Sequence, residues 1–547
     1  MKRTVYIFAL AAVSLLSIFA VRNDFGLNRN LEIMVNVMRE ISENYVDKVD
    51  PDLLLKYATE GISRRLDPYS EYLSEDKMSS FEVMTTGKYG GIGSLIRQDS
   101  NFVKIAQPYE NSPADKAGLI IGDVIVAIDG ESADGYTTEQ VSALLKGTPN
   151  TDVVLTVRRL LTGEDQEVTI NRERISIPGI PYYGFVGQPA DSIGYIQHSE
   201  FTAGVAKDMR AAVLDLTSQG AKALILDYRN NGGGILQEAV EVVSLFTPRG
   251  TEVVTLKGRT DSVVYNTSLR PIAQDIPLIV LINENSASAS EIVAGSLQDL
   301  DRAVLVGDKS FGKGLVQSTR AVGYNSYVKM TTSKYYIPSG RCIQELDYSD
   351  HTVAGKAVKI ADSLRLTFYT EGGRKVYDGG GITPDEPVKS EYLSRFAGTL
   401  YQGGYIDDFG DDYFVRNHTQ EIDVETFTIT DEDYQDFKAF IATKTIPYES
   451  TTRKVLKGLK EAAITDQYSD VAEQIEELEA NLKDDTASNL ETYRSDIETY
   501  INTNIVLRYA YQAGLIRHTL IGDKDVARAC EILNDQELYR SILTPKE

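Results

Sequence analysis
Two apolar runs constrain the fold of this chain more than any other feature. Ala223-Leu224-Ile225-Leu226-Asp227-Tyr228 and Leu278-Ile279-Val280-Leu281-Ile282-Asn283 are short, rich in branched residues and almost free of polar positions. That is the pattern of buried strands. Each run feeds a loop of small and polar residues. The first ends in Arg229-Asn230-Asn231-Gly232-Gly233-Gly234, the second in Asn285-Ser286-Ala287-Ser288-Ala289-Ser290-Glu291. In open α/β sheets, loops at strand ends gather the functional groups. The glycine turn and the serine run are therefore expected to meet at one site.

Lys313 follows Ser288 by 25 residues, within Phe311-Gly312-Lys313-Gly314, and Gln317 lies four residues further on. A serine hydroxyl is a weak nucleophile at neutral pH and needs a neighbour that takes its proton, a task open to a neutral lysine amine as well as to histidine. At an ordinary pKa of about 10.4, roughly one lysine in a few thousand is neutral at pH 7, so such a base must be desolvated or set near another cation. Glycines at 312 and 314 suit that demand, because they let backbone close around the lysine stem. Ser286 and Ser290 are rivals for the nucleophile on composition alone. The stretch from Glu291 to Leu297 is helix-forming, which puts Ser290 in the first turn and Ser288 at or just before the helix start. A serine there is ordinarily an N-cap. The same place also sets its hydroxyl among unpaired amides that favour a developing anion.

Other chemistries find little support. There are four histidines in 547 residues. His198 lies in a strand-like run, and His351, His418 and His518 have no serine motif beside them, so a Ser-His-Asp triad is not expected. No His-Glu-x-x-His helix occurs, and Cys342 and Cys530 are too far apart for a recognisable metal knuckle, so neither metal nor cofactor is expected. Both cysteines are expected to be reduced or buried. Gly307 to Lys313 fits the first seven positions of a phosphate-binding loop. The eighth is Gly314, where a magnesium-binding hydroxyl is required, and Leu315 to Thr319 are at least as strand-like as helical. A formal net charge of −24 argues against a nucleic-acid partner. Residues 401–440 carry eleven Asp or Glu against two Lys or Arg, a segment expected to be a solvated face.

Tyr89-Gly90-Gly91-Ile92-Gly93 resembles the carboxylate-binding loop of PDZ domains. Ser112-Pro113-Ala114-Asp115-Lys116-Ala117-Gly118-Leu119, followed by Gly122-Asp123-Val124-Ile125, resembles their central signature. Such a module adds a peptide strand to its sheet and holds the terminal carboxylate on backbone amides, here those of Gly91, Ile92 and Gly93. The helix from Thr138 to Leu145 is expected to line that groove, with Val141 and Leu144 or Leu145 toward the peptide or the core.

The serine and lysine segments, together with Leu66-Asp67-Pro68-Tyr69-Ser70, the Leu224 to Gly234 run, Lys334-Tyr335-Tyr336-Ile337-Pro338-Ser339-Gly340-Arg341 and Gly380-Gly381-Ile382-Thr383-Pro384-Asp385, resemble the C-terminal processing peptidases, or tail-specific proteases. The motifs stand in the family's order, with its serine-to-lysine spacing, over about residues 30–390. The resemblance implies a multidomain α+β/α/β protein whose ClpP/crotonase-like catalytic domain is interrupted by a PDZ domain. It implies Ser288 as nucleophile, Lys313 as general base and Gln317 as the residue orienting the lysine. The oxyanion hole falls to the Ala289 N–H and one from Gly233 or Gly234. Gly232 stands where many relatives have proline, which leaves the choice of donor open.

Lys2 and Arg3 precede an apolar run from Thr4 to Val21 of signal-sequence type, so export to the periplasm or cell envelope is expected, with residues 1–24 as leader or uncleaved membrane anchor. The expected domains are N-terminal helices over 28–80, with Leu31, Met34, Val35 and Met38 on one face, a PDZ domain over 87–173, the catalytic domain over 174–390 and an acidic, mainly helical region over 391–547. Thr370 to Asp378 fits a hairpin. Val471, Ile475, Leu478 and Leu482 form one apolar stripe that needs a partner, either the protease domain or a second subunit in a homodimer. No family motif reaches past about residue 429. The favoured function is an exported endopeptidase acting on proteins with free C-terminal tails through an acyl-enzyme. The competing one is a PDZ adaptor that binds tails and scaffolds another protease.

Overall fold
A computed structural model describes residues 26–75, 81, 83, 85–348, 357–389, 392–482 and 485–545. The apolar run from Thr4 to Val21 and His351 lie outside them. Among the described residues no helix is long and apolar enough to cross a membrane. The chain divides into two units, residues 1–78 with 316–333 and 347–359, and residues 79–315 with 334–346 and 360–547.

In the first unit, the helix over residues 26–44 leaves Leu31 and Val35 exposed. A second helix, Pro51–Ser63, starts where the Asp50 carboxylate accepts from Asp52 N–H and proline occupies the first turn. Asp67 then closes a tight turn, its Oδ1 accepting from Tyr69 and Ser70 N–H at 2.8 Å each. That turn leads into strand Glu71–Leu73, antiparallel to Ser326–Tyr336. Strand Leu315–Gly323 pairs with Ser326–Tyr336 as a hairpin. Both residues between those strands, Tyr324 and Asn325, have positive φ, as a twist-matched two-residue turn requires.

The second unit is built on a six-stranded sheet in the order Tyr182–Val186, Ile193–Gln197, Ala223–Asp227, Leu278–Ile282, Val304–Gly307, Glu386–Pro387. All neighbours are parallel except the first pair. Every residue of the two central strands is buried. Alternate side chains point to opposite faces. Ile225, Ile279, Leu281, Val304 and Val306 pack with Ile516, Val526, Ala529, Ile532 and Leu533, so the end of the chain covers one face. On the other, Leu216 of helix Val205–Ser218 closes over Gly194 and Leu224.

Residues 94–171 form a separate small sheet, Ser94–Asp99, Phe102–Pro108, Val124–Ile128, Asp152–Arg158 and Asp165–Asn171, all antiparallel. Its core includes Ile92, Val103, Ile105, Leu119, Ile125, Val141, Leu145, Val153, Leu155 and Val157. Lys88–Gly91 pairs with Glu173–Ser176, so the chain enters and leaves this module side by side. The expected hairpin forms, Thr367–Tyr369 against Lys375–Tyr377. From Arg395 onward the chain is helical. Of the apolar stripe, Ile475 is buried against Ala463 and Leu456 within this region, while Val471 and Leu478 stay exposed. Cys342 and Cys530 are both free, and Cys530 is buried.

Candidate active site
Ser288 stands between strand Leu278–Ile282 and helix Ala289–Asp299, at φ 57° and ψ −113°. An L-residue is held in that conformation only by its surroundings. They are explicit: Ala287 N–H donates to Asn231 O at 3.0 Å, Ile292 N–H to Ser288 O at 2.9 Å, and Ser288 N–H to Glu291 Oε2 at 2.8 Å. The three serines differ in what their hydroxyls do. Ser286 Oγ donates to Tyr228 O at 2.9 Å and Ser290 Oγ to Asn231 O at 2.9 Å, and both residues are fully buried. These two pin the loop to the neighbouring strand end. Ser288 is only partly buried, at the amino end of a helix buried along its whole length.

Lys313 sits in the loop between strands Val304–Gly307 and Leu315–Gly323. Strand, not helix, follows it, so the phosphate-loop pattern has no structural counterpart. Glycines on either side let the loop close on the segment 344–345: a Cβ at Gly312 would lie 2.7 Å from Glu345 Cβ, and one at Gly314 2.8 Å from Gln344 N. Gly314 N–H donates to the Gln344 side chain at 2.7 Å.

One side chain joins the serine and lysine loops. Glu291, fully buried, accepts from Ser288 N–H (2.8 Å), Lys313 N–H (2.9 Å), Gly312 N–H (2.7 Å) and Ser310 Oγ (2.6 Å). Burial pushes its carboxyl above the ordinary range, against the pull of these four donors. The sequence pattern Ser-x-x-Glu is a capping box and signals a glutamate that reaches back to the N-cap amide. The signal was there to be used, and the glutamate's second reach, to the lysine loop, is visible only in three dimensions.

The glycine turn packs directly on the serine turn. A Cβ at Gly233 (φ +97°) would sit 2.7 Å from Ala287 O and 2.8 Å from Ala289 N and Ser288 Cβ. Asn231, fully buried, sets the turn: its Nδ2 donates to His198 O at 2.7 Å and its Oδ1 accepts from Gly233 N–H at 2.9 Å. The Gly233 N–H is thus already engaged. Ala289 is the first residue of its helix, and Gly234 (φ +144°) lies against Phe201 O.

His198 is fully buried against the rings of Phe201 and Tyr228, at centroid distances of 4.1 and 5.0 Å. Burial drives its imidazole down to about 3, so it is a neutral core residue. Gln317, in the first unit, donates from its amide to Thr331 Oγ1 at 3.1 Å.

In the small antiparallel module, Ile92 is buried and its carbonyl accepts from Ala114 N–H at 2.8 Å, and Gly93 (φ +77°) accepts from Tyr109 N–H at 2.9 Å. Helix Thr138–Leu145, started by a Thr137–Gln140 capping box, lies beside the edge strand Ser94–Asp99. Val141, expected toward the peptide or the core, is fully buried in the module's core, because the face of the helix at 141 and 145 is the one that closes over the sheet. Leu144 on that helix and Leu95 on the edge strand are the exposed apolar residues.

A model of peptidase family S41 matches residues 192–352, a PDZ domain model residues 104–159, and a model described as the C-terminal helical domain of a probable PDZ-protease residues 396–533. The last covers a region where no family motif was expected. The carboxy-terminal-processing protease of Bartonella bacilliformis is 34% identical over 328 residues, 59% of this chain and 74% of that protein. A probable CtpA-like serine protease of Staphylococcus aureus (strain COL) is 35% identical over 341 residues, 61% of this chain. The match spans 65% of that relative's own length. The solved photosystem II D1 C-terminal processing protease aligns over 66% of this chain and 93% of its own at 25% identity, with a TM-score of 0.35, too loose a superposition to carry an argument.

Proposed function
Since the chain belongs to the S41 family of carboxy-terminal-processing proteases, we propose that it is a serine endopeptidase that captures the free C-terminal tails of protein substrates and cuts them through a Ser288–Lys313 dyad. The observation that carries this reading is the shared carboxylate: Glu291 Oε2 accepts from the backbone of both Ser288 and Lys313.

In this reading the Lys313 amine takes the Ser288 proton as Oγ attacks the scissile carbonyl, and the tetrahedral oxyanion is met by Ala289 N–H and a second N–H from Gly233 or Gly234. Use of Gly233 requires its amide to leave the Asn231 side chain, whereas Gly234 needs no such exchange. Collapse breaks the C–N bond and passes the proton to the leaving amine, and water then releases the acyl group from Ser288. Gln317 orients the lysine. Amides of Gly91, Ile92 and Gly93 hold the tail carboxylate, and Leu95 and Leu144 offer its side chains an apolar groove. A ClpP/crotonase-like catalytic domain, export with residues 1–24 as leader or anchor, and homodimerisation through exposed Val471 and Leu478 belong to the same proposal.

The test is an unfolded polypeptide with an apolar free C-terminus, incubated with wild type and Ser288→Ala. Cleavage is expected from wild type alone, and amidating the substrate's C-terminus should slow it by roughly tenfold through the loss of charge-assisted hydrogen bonds. Cleavage by Ser288→Ala at the wild-type rate would overturn the mechanism. Equal cleavage of amidated and free-acid substrates would overturn carboxylate capture.

A further inference from the structure
The last two helices bring charge, as well as apolar cover, to the catalytic sheet. Arg229 is the second residue after strand Ala223–Asp227 and stands two residues before Asn231, which sets the glycine turn. Its guanidinium is fully engaged by three carboxylates. Nε and Nη2 donate to Asp227, at 3.0 and 2.6 Å. Nη1 donates to Asp523 Oδ1 at 3.0 Å and Asp525 Oδ2 at 2.9 Å, and Nη2 lies 2.8 Å from Asp523 Oδ2. Asp227 is itself fixed by Tyr195 Oη, which donates to it at 2.7 Å.

Asp523 and Asp525 come from the opposite end of the chain. Asp523 is the N-cap of helix Lys524–Asn534, accepting from Asp525 and Val526 N–H, and that helix is anchored on the sheet through Val526, Ala529 and Leu533. The clamp therefore fastens a helix packed on the sheet to a loop, not to a strand. The strand needs no such fastening, since its apolar face is already covered. The loop is tied further along by Asn230, whose N–H donates to Asn283 Oδ1 at 2.9 Å, and by Asn231, whose Nδ2 donates to His198 O at 2.7 Å, and the clamp adds the fastening at its Arg229 end. Beside the clamp is a cavity of about 500 Å³ lined by polar groups that include Gln197, Asn230, Asn283 and Glu284. Without the clamp, this polar space gives the Arg229 end of the loop room to shift.

We infer that Asp523 and Asp525 are positioning residues for peptide hydrolysis: by holding Arg229 they fix the glycine turn against Ser288, so that the C-terminal helical region completes the catalytic site. The inference rests on the reading of that turn as the oxyanion wall. It separates turnover from tail capture, because none of these residues lies in the small antiparallel module that would bind the tail.

The experiment uses the full chain. Asn caps a helix as well as Asp does, so Asp523→Asn combined with Asp525→Asn removes the clamp's charge and keeps the helix start. Cleavage of a free-tailed polypeptide should show kcat reduced by roughly tenfold or more, as expected for a small displacement of catalytic groups, with KM within about threefold. Asp525→Glu, which keeps the charge, should recover most of the loss. Amide exchange at 229–234 should accelerate in the charge-neutral variant and not in Asp525→Glu. If the double variant melts more than about 10 °C early, Asp525→Asn alone carries the test, with an expected severalfold fall in kcat. A kcat within about twofold of wild type overturns the inference, provided Ser288→Ala is inactive in the same assay. If Ser288→Ala cleaves like wild type, the reading of the turn fails first and takes this inference with it.

Discussion

His198 shows how burial decides the role of a single residue. Its imidazole would be a plausible base by composition, yet its Nε2 faces Glu200 O at 3.1 Å, and its Nδ1 has no hydrogen-bond partner among the described residues. The ring is packed against two aromatic side chains, Phe201 and Tyr228. An unfolded histidine titrates near 6.5, whereas this one is held down to about 3 by burial. On acidification the unfolded chain therefore takes up the proton first. The neutral ring's contribution to stability is complete above about pH 6.5 and is lost as pH falls toward 3, at about 1.4 kcal/mol per pH unit. His198→Phe should flatten that acid limb and move the acid-unfolding midpoint to lower pH, while cleavage stays within about threefold of wild type. Acid titration followed by circular dichroism, with turnover measured alongside, checks both halves. A collapse of turnover in a folded His198→Phe would return this residue to the chemistry.

At the level of elements, the site is a junction of three loops, and their close approach makes it sensitive to a single methyl group. Gly233→Ala places a Cβ within 2.8 Å of the Ser288 turn at a positive φ, so either the glycine turn or the serine turn must move. A displacement of that kind should cost roughly a hundredfold in turnover, with tail binding retained. Turnover near wild type in this variant would show that the packing of the two turns is not what aligns the site. The buried strands were legible in the sequence, because a run covered on both faces carries almost no polar residue whatever packs on it. The serine at a helix start and the Thr370 to Asp378 hairpin were legible for equally local reasons. Glu291 was half legible, as the partner of an N-cap, but its bond to Lys313 N–H links loops 22 residues apart. Whether Val141 faces a peptide or the core was left open by the sequence, because a short helix shows the same apolar periodicity whether its face meets a peptide or its own sheet.

Over the whole molecule, the acidic balance of residues 401–440 proves to be partly structural. Asp407 pairs with Arg97 at 2.7 Å, and Asp408 and Asp411 surround Lys104, which is almost fully buried, at 3.4 and 3.1 Å. Arg508 bonds Asp411 at 2.7 Å, and Tyr511, strained at φ 52°, donates to Asp115 at 2.7 Å. The C-terminal helices thus grip both the small antiparallel module and the six-stranded sheet. Neither contact was visible in the sequence, since the partners lie about 300 to 400 residues away and charge alone does not name its counter-ion. The central claim remains chemical, and one measurement tests it most directly: turnover of a single unfolded, free-tailed protein by wild type, Ser288→Ala and Lys313→Ala, with tail affinity measured on the same three proteins. Residues that act as one unit lose their effect together. Both variants should fall to the same residual rate, about a thousandfold or more below wild type, with tail affinity unchanged. Lys313→Ala turning over at close to the wild-type rate would contradict the serine-lysine account.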